Sequence, residues 1–190
     1  MATSDERSIT EEVNSFLESI KGTYVDDRVE AERRLDTPGT QFDRKNYVRA
    51  VFAYVEGTTS QWRRAALSSR ASLSRAEAAL ASEESYQLSA EGEAEAHKRP
   101  LRTLPSVLFS LRLWAKVMEV PFKPEQGSPG WDAFKKALRI RDRITHPKSL
   151  SESRVSDEDL AMVRKASAWF EGQMQAIIEA GFARRPAPKK

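Results

Sequence analysis

The chain has 190 residues, 39% of them hydrophobic and 31% charged, with a formal net charge of +3, which suits one domain with its own core rather than two. No run of about eighteen apolar residues occurs; the longest greasy passage, LPSVLFSLRLWAKVMEVPF, is interrupted by Arg112, Lys116 and Glu119, so no membrane-spanning helix is expected. Cysteine is absent, which excludes disulfides, thiolate metal sites and a cysteine nucleophile, and points to the cytoplasm.

The opening MATSDERSITEEV has neither a basic start nor an apolar middle, and no signal peptide is expected. Val13, Phe16, Leu17 and Ile20 recur at three- and four-residue spacing, predicting a first helix from Ser8 to Lys21 that Gly22 stops. Pro38 and Gly39 punctuate a loop around LDTPGTQ. A long helix follows from Phe42 to Ser69, with Tyr47, Val51, Tyr54, Thr58, Trp62 and Ala65 along one face. Gly57 inside it marks a bend or a close helix crossing. Ser74 and Glu77 form a capping-box pair that opens a shorter helix through SLSRAEAALASEESY. QLSAEGEAEAHKRP reads as a polar loop, and no strands are expected, because sustained period-two alternation and Asn-Gly or Asp-Gly turns are missing.

Thr103 to Val120 forms the next helix, with Pro105 tolerated in its first turn. After the break PFKPEQGSPG, Ser128 as N-cap and Pro129 at the first helical position open the helix WDAFKKALRIRDRIT. Ser156 with Asp159 starts a final helix carrying Leu160, Val163, Ala166, Trp169, Phe170 and Met174, and Gly181 closes it. The elements predict an all-α bundle of five or six helices with a long central pair over residues 1–180. The basic, Pro- and Ala-rich segment 181–190 reads as a disordered tail.

One residue stands in the wrong place. Stepping about 100° per residue from Trp131 gathers Phe134, Ala137, Leu138, Ile140 and Ile144 on a broad apolar side. Lys135, Lys136, Arg139 and Arg143 fall opposite, but Arg141 projects into the apolar stripe with Asp142 at its edge. A guanidinium cannot shed its charge, so Arg141 either meets an acidic partner inside the bundle or faces a wet groove. His146 follows five residues later, and Pro147 disfavours helix geometry at His146. The helix is therefore expected to stop at Thr145 or His146, freeing the imidazole to swing back beside Arg141. An arginine fork can hold phosphate oxygens and offset charge in a five-coordinate transition state. An imidazole can take a proton from an RNA 2′-hydroxyl or give one to the leaving oxygen. No Asp/Glu/His set at metal-ligand spacing competes with this reading, and no metal or other cofactor is expected. The spacing alone is weak evidence among twenty arginines, and Arg139 fits it too. A structural ion pair and a functional site both remain open at Arg141. The mild net charge adds that contact with nucleic acid runs through a few placed cations rather than a coating of them.

Arg141, Asp142 and His146 resemble the signature of the HEPN superfamily (higher eukaryotes and prokaryotes nucleotide-binding): arginine, a polar residue, a few more positions and histidine. The contexts AFKKALRIRDRITHPKSLSESRVSDEDLAMVRKASAWF and RAVFAYVEGTTSQWRRAAL are similar to uncharacterised bacterial members, and the resemblance spans residues 42–177. It implies an up-and-down helical bundle that forms a homodimer, with two motifs facing across a shared cleft. In many relatives it implies a metal-independent endoribonuclease acting as a toxin or in phage defence, with an antitoxin or other protein partner. Arg141 would carry the phosphate, His146 the proton and Asp142 the polar position after the arginine. Other relatives have lost activity and serve as modules binding a protein or nucleotide, and the same implication covers this chain as the alternative.

Glu56 interrupts VFAYVEG between Arg49 and Arg63. It belongs to a solvated ion-pair stripe or meets Arg141 from the neighbouring helix and orients it. Lys148 is either a phosphate contact or an exposed loop lysine, and His97 in EAEAHKRP is incidental. Trp62, Trp114, Trp131 and Trp169 fall on apolar faces and are expected in the core.

Overall fold

A computed structural model describes residues 18, 20–36, 39–69, 71–98 and 101–184. Most of the helix expected from Ser8, and residues 185–190 of the expected tail, lie outside the described residues. Six α-helices are present among the described residues: α1 (Asp26–Arg33), α2 (Gln41–Ser68), α3 (Arg75–Ala81), α4 (Thr103–Val117), α5 (Pro129–Thr145) and α6 (Asp157–Ala183). A π-helical turn, Lys21–Val25, leads into α1.

The helix starts follow from local capping. Thr40, Ser74 and Ser156 each accept the backbone N–H three residues on, and Asp43, Glu77 and Asp159 each return a carboxylate to the cap N–H. Ser128 caps α5 with Pro129 at its first position. Gly22 does not stop the chain: helical bonding runs through it in the π-turn. Ile20 is buried on one side of that glycine, and Tyr24 lies against Gly57 on the other. Core contacts therefore carry the helix past a residue with weak helix preference. Gly57 itself marks a close crossing: a Cβ there would lie 2.3 Å from Cζ of Tyr24.

Two expectations need correction in the middle of the chain. The helix expected through Tyr86 stops at Ala81, and Glu83 takes a left-handed φ of 57°. The supposed loop contains a strand, so β1 (Glu84–Leu88) and β2 (Ala94–Lys98) pair antiparallel, with Tyr86 opposite Ala96. The reversal uses a five-residue connection, 89–93, in which Gly92, at φ 81°, receives no steric penalty and Gly92 N–H donates to Ser89 O. The C-terminal ends of α4 and α6 also differ from expectation. Thr103's helix ends at Val117, where Glu119 at φ 56° lets Val120 N–H reach back to Ala115 O. Gly181 does not close α6, which continues to Ala183; Gly181 instead receives Met118 against its bare Cα. The tail therefore does not begin at residue 181.

α2 and α6 are the long pair. Tyr47, Val51, Phe52, Tyr54, Val55 and Trp62 of α2 are buried with Val163, Phe170 and Ile177 of α6. All four tryptophans are buried, with Trp62 and Trp114 stacked at 5.9 Å and the Trp131 and Trp169 rings tilted by 47° at 4.9 Å. The helix directions depart from a simple up-and-down order. Arg44 meets Asp157 and Tyr54 meets Phe170, so α2 and α6 run parallel. Glu56 meets Thr103 and Arg63 meets Ser110, so α2 and α4 also run parallel. α3 and the hairpin return the chain between them. α5 runs against α6, with Arg143 beside Asp159 at one end and Trp131 against Trp169 at the other.

Candidate functional site

The site lies where the C-terminal half of α5 crosses α2. Trp131, Phe134, Ala137, Ile140 and Ile144 are buried, as the apolar stripe requires. Arg141, at the wheel position between Phe134 and Ala137, is brought onto α2 with 27% of its side chain exposed. Its Cζ lies 5.7 Å from the Phe52 ring centroid, a cation–π distance. Its Nη2 donates to Glu56 Oε1, one helical turn beyond Phe52 on the same face of α2. Its Nη1 donates to Asp142 Oδ1 at 2.9 Å. Glu56 also accepts from Thr103 Oγ1 at 3.5 Å, which ties the pair to the start of α4.

Of the two roles open to Glu56, the geometry selects contact with Arg141. The solvated stripe is overturned, because Arg63 turns inward and bonds Glu83 Oε1 at 2.6 Å, Ser106 Oγ at 2.8 Å and Ser110 Oγ at 3.2 Å. Burial pulls the Arg63 pKa down from its ordinary value, and Glu83 opposes the shift. The two serines are a hint the sequence carried: Ser106 and Ser110 sit four apart on the inward face of α4, where polar side chains need a partner.

α5 ends at Thr145, and His146 is its C-cap at φ −128°, ψ 60°. The proline does release the helix there. His146 N–H still donates to Asp142 O at 3.0 Å, so only the residue's own torsions leave the helical path. Five helical residues turn the chain about 140° beyond a full turn, and no hydrogen bond joins the imidazole to Arg141 among the described residues. His146 is exposed, and its ring is unpartnered among the described residues. Lys148 is exposed too; its backbone N–H donates to Glu152 Oε2, and its side chain reaches none of the site residues. His97 lies on the exposed hairpin, away from these residues in the register opposite Ser85. No group of three or more acidic, histidine or cysteine side chains gathers as a metal site among the described residues.

A feature the sequence reading missed lies beside the end of α5. An open depression of about 640 Å³ is lined by Arg44, Arg143 and Arg154 together with Asp157 and Asp159. Arg143 is tied to Asp159 Oδ2 at 2.7 Å and Arg44 to Asp157 Oδ1 at 2.6 Å. Gln41 clamps the Val155 backbone by donating to its O at 3.0 Å and accepting from its N–H at 2.9 Å. Nothing local in the sequence announces this group, whose arginines come from three separate segments.

Comparison with models of known protein families, with curated proteins and with solved structures finds no match.

Proposed function

We propose that the end of α5 is the phosphate-cleaving centre of a metal-independent, HEPN-type endoribonuclease, with Arg141 as phosphate ligand and His146 as proton-transfer group. The observation that carries this reading is the state of Arg141. Its guanidinium is clamped by Phe52 and Glu56 on one helix face, yet keeps part of its surface open to solvent, near a helix end with an unpartnered imidazole. A fixed guanidinium is ready to receive a phosphate without the cost of ordering a free side chain. Asp142 holds a second edge of the fork, and Glu56 acts as the positioning residue. Lys148 supplies a further cation on the loop that leaves the site.

In the proposed reaction the 2′-oxygen of a ribose attacks the adjacent phosphorus while imidazole takes its proton. The bond from phosphorus to the 5′-oxygen breaks, and that oxygen receives a proton from a second imidazole. The products are a 2′,3′-cyclic phosphate and a 5′-hydroxyl, with no net oxidation. A homodimer that pairs two such helix ends would bring the second imidazole and a second arginine to one cleft.

A second reading is favoured by one observation. Two carboxylates already hold Arg141, so its charge is met without a ligand, as a silent module binding a protein or nucleotide would require. The two are separated by incubating the purified chain with mixed RNA in EDTA, beside His146→Ala and Glu56→Gln. Catalysis predicts cyclic-phosphate ends that His146→Ala abolishes. It also predicts a kcat about tenfold lower in Glu56→Gln, with KM little changed. Cleavage that survives His146→Ala removes the assignment, and no cleavage of any RNA favours the module.

A further inference from the structure

Three guanidiniums from the first turns of α2, the last turn of α5 and the connection to α6 line one open depression. We infer that this depression is a second phosphate subsite, holding the backbone of the same RNA strand beside the scissile phosphate. The inference rests on the ribonuclease reading for its ligand and not for its geometry.

The lining counts three arginines against two aspartates, so one positive charge is left over. Arg44 directs Nη2 to Asp157 and Nη1 to Val155 O, and Arg143 directs Nη2 to Asp159. Those contacts fix the two forks. They do not exhaust them, since a guanidinium carries five N–H donors. Arg154 is exposed and makes no side-chain hydrogen bond or ion pair among the described residues. It takes no part in the clamp of Gln41 and Arg44 on Val155, so holding the connection in place does not explain it. It is also the residue that sets the sign of the depression.

The depression lies at the end of the helix that carries the proposed centre, and its lining includes Arg143 of that helix but neither Arg141 nor His146. Arg143 precedes His146 by three residues, about 4.5 Å of helical rise, so both stand at the same end of α5. On the same face, Lys136 and Arg139 are exposed and make no hydrogen bond or ion pair among the described residues, with Asp132 one turn before Lys136 as its nearest acid on the helix, which extends the cationic track along α5. A wide, open, polar-lined hollow suits a strand that passes through, whereas small molecules are bound in concave sites that cover most of their surface.

The test is binding of a labelled 2′-O-methyl oligouridylate, which lacks the attacking hydroxyl, to the full chain across a salt series. Arg154→Glu is expected to raise Kd on the order of tenfold and to lower the salt slope by about one. Arg112→Glu, an equal charge change on the exposed side of α4, is expected to raise Kd less than twofold. Equal effects of the two variants, or no binding of the unaltered chain at low salt, overturns the subsite. Inorganic phosphate competing as well per phosphate as the strand also overturns it, since the hollow would then hold small anions. Arg154-dependent binding by a chain that cleaves nothing keeps the subsite while the catalytic reading falls. Cleavage that needs His146 but ignores Arg154 does the reverse.

Discussion

Gly57→Ala sets two effects of known sign against each other. Alanine is favoured over glycine inside a helix by about 1 kcal/mol, so at an open position on α2 the change stabilises. Here the added Cβ would meet the Tyr24 ring face, 2.3 Å from Cζ and 2.6 Å from both Cε atoms. Tyr24 is partly buried and packs against the main core, so the ring cannot lift away freely. Overpacking of this kind costs about 1–3 kcal/mol. The net expectation is a loss of about 0–2 kcal/mol, taking the difference of those two figures. In a Tyr24→Ala background the obstacle is gone, and the same substitution is expected to stabilise by about 1 kcal/mol. The coupling between the two sites, about 1–3 kcal/mol, is read from urea unfolding of the four proteins followed by circular dichroism. Equal stabilisation by Gly57→Ala in both backgrounds would refute the argument, because the Tyr24 ring would then not be held on α2.

Arg63→Ala leaves Ser106 and Ser110 unsatisfied and breaks the bond to Glu83; because Glu83 is partly exposed, the expected loss is about 3 kcal/mol, the low end for a buried pair. Arg63→Met leaves the same groups unpaired but refills the space, so it is expected to lose about 1 kcal/mol less than Arg63→Ala, and urea midpoints of the two variants check the order. Tyr47 is pushed from 10.0 up to about 12, first by burial and then by Glu32. Its folded-state pKa is raised, so the stability it contributes is complete below pH 10 and is lost as pH rises through about 12. Alkaline unfolding followed by tyrosinate absorbance and circular dichroism is expected to begin in that window, and Tyr47→Phe is expected to move it higher.

Helix starts were the most legible part of the chain. Ser74 with Glu77, Ser128 with Pro129, and Ser156 with Asp159 act within three residues of themselves, so a short window of sequence contains the whole interaction. Arg141 was legible for the same reason: a helical wheel needs only neighbouring residues to reveal a cation on an apolar stripe. The hairpin was not, because Ser82 to Tyr86 continues a helical composition, and strand pairing depends on a register with residues about ten positions away.

Local chemistry thus decided which segments become helices, where most begin, and that α5 carries one misplaced arginine. Only packing decided which acid that arginine meets, since Glu56 lies 85 residues earlier and Arg63 had an equal local claim on it. Packing also turned Arg63 inward and gathered Arg44, Arg143 and Arg154 around one hollow. Capping bonds are closed within a single turn. Partners across helices depend on crossing angles and helix directions, which are fixed only when the apolar faces are buried together.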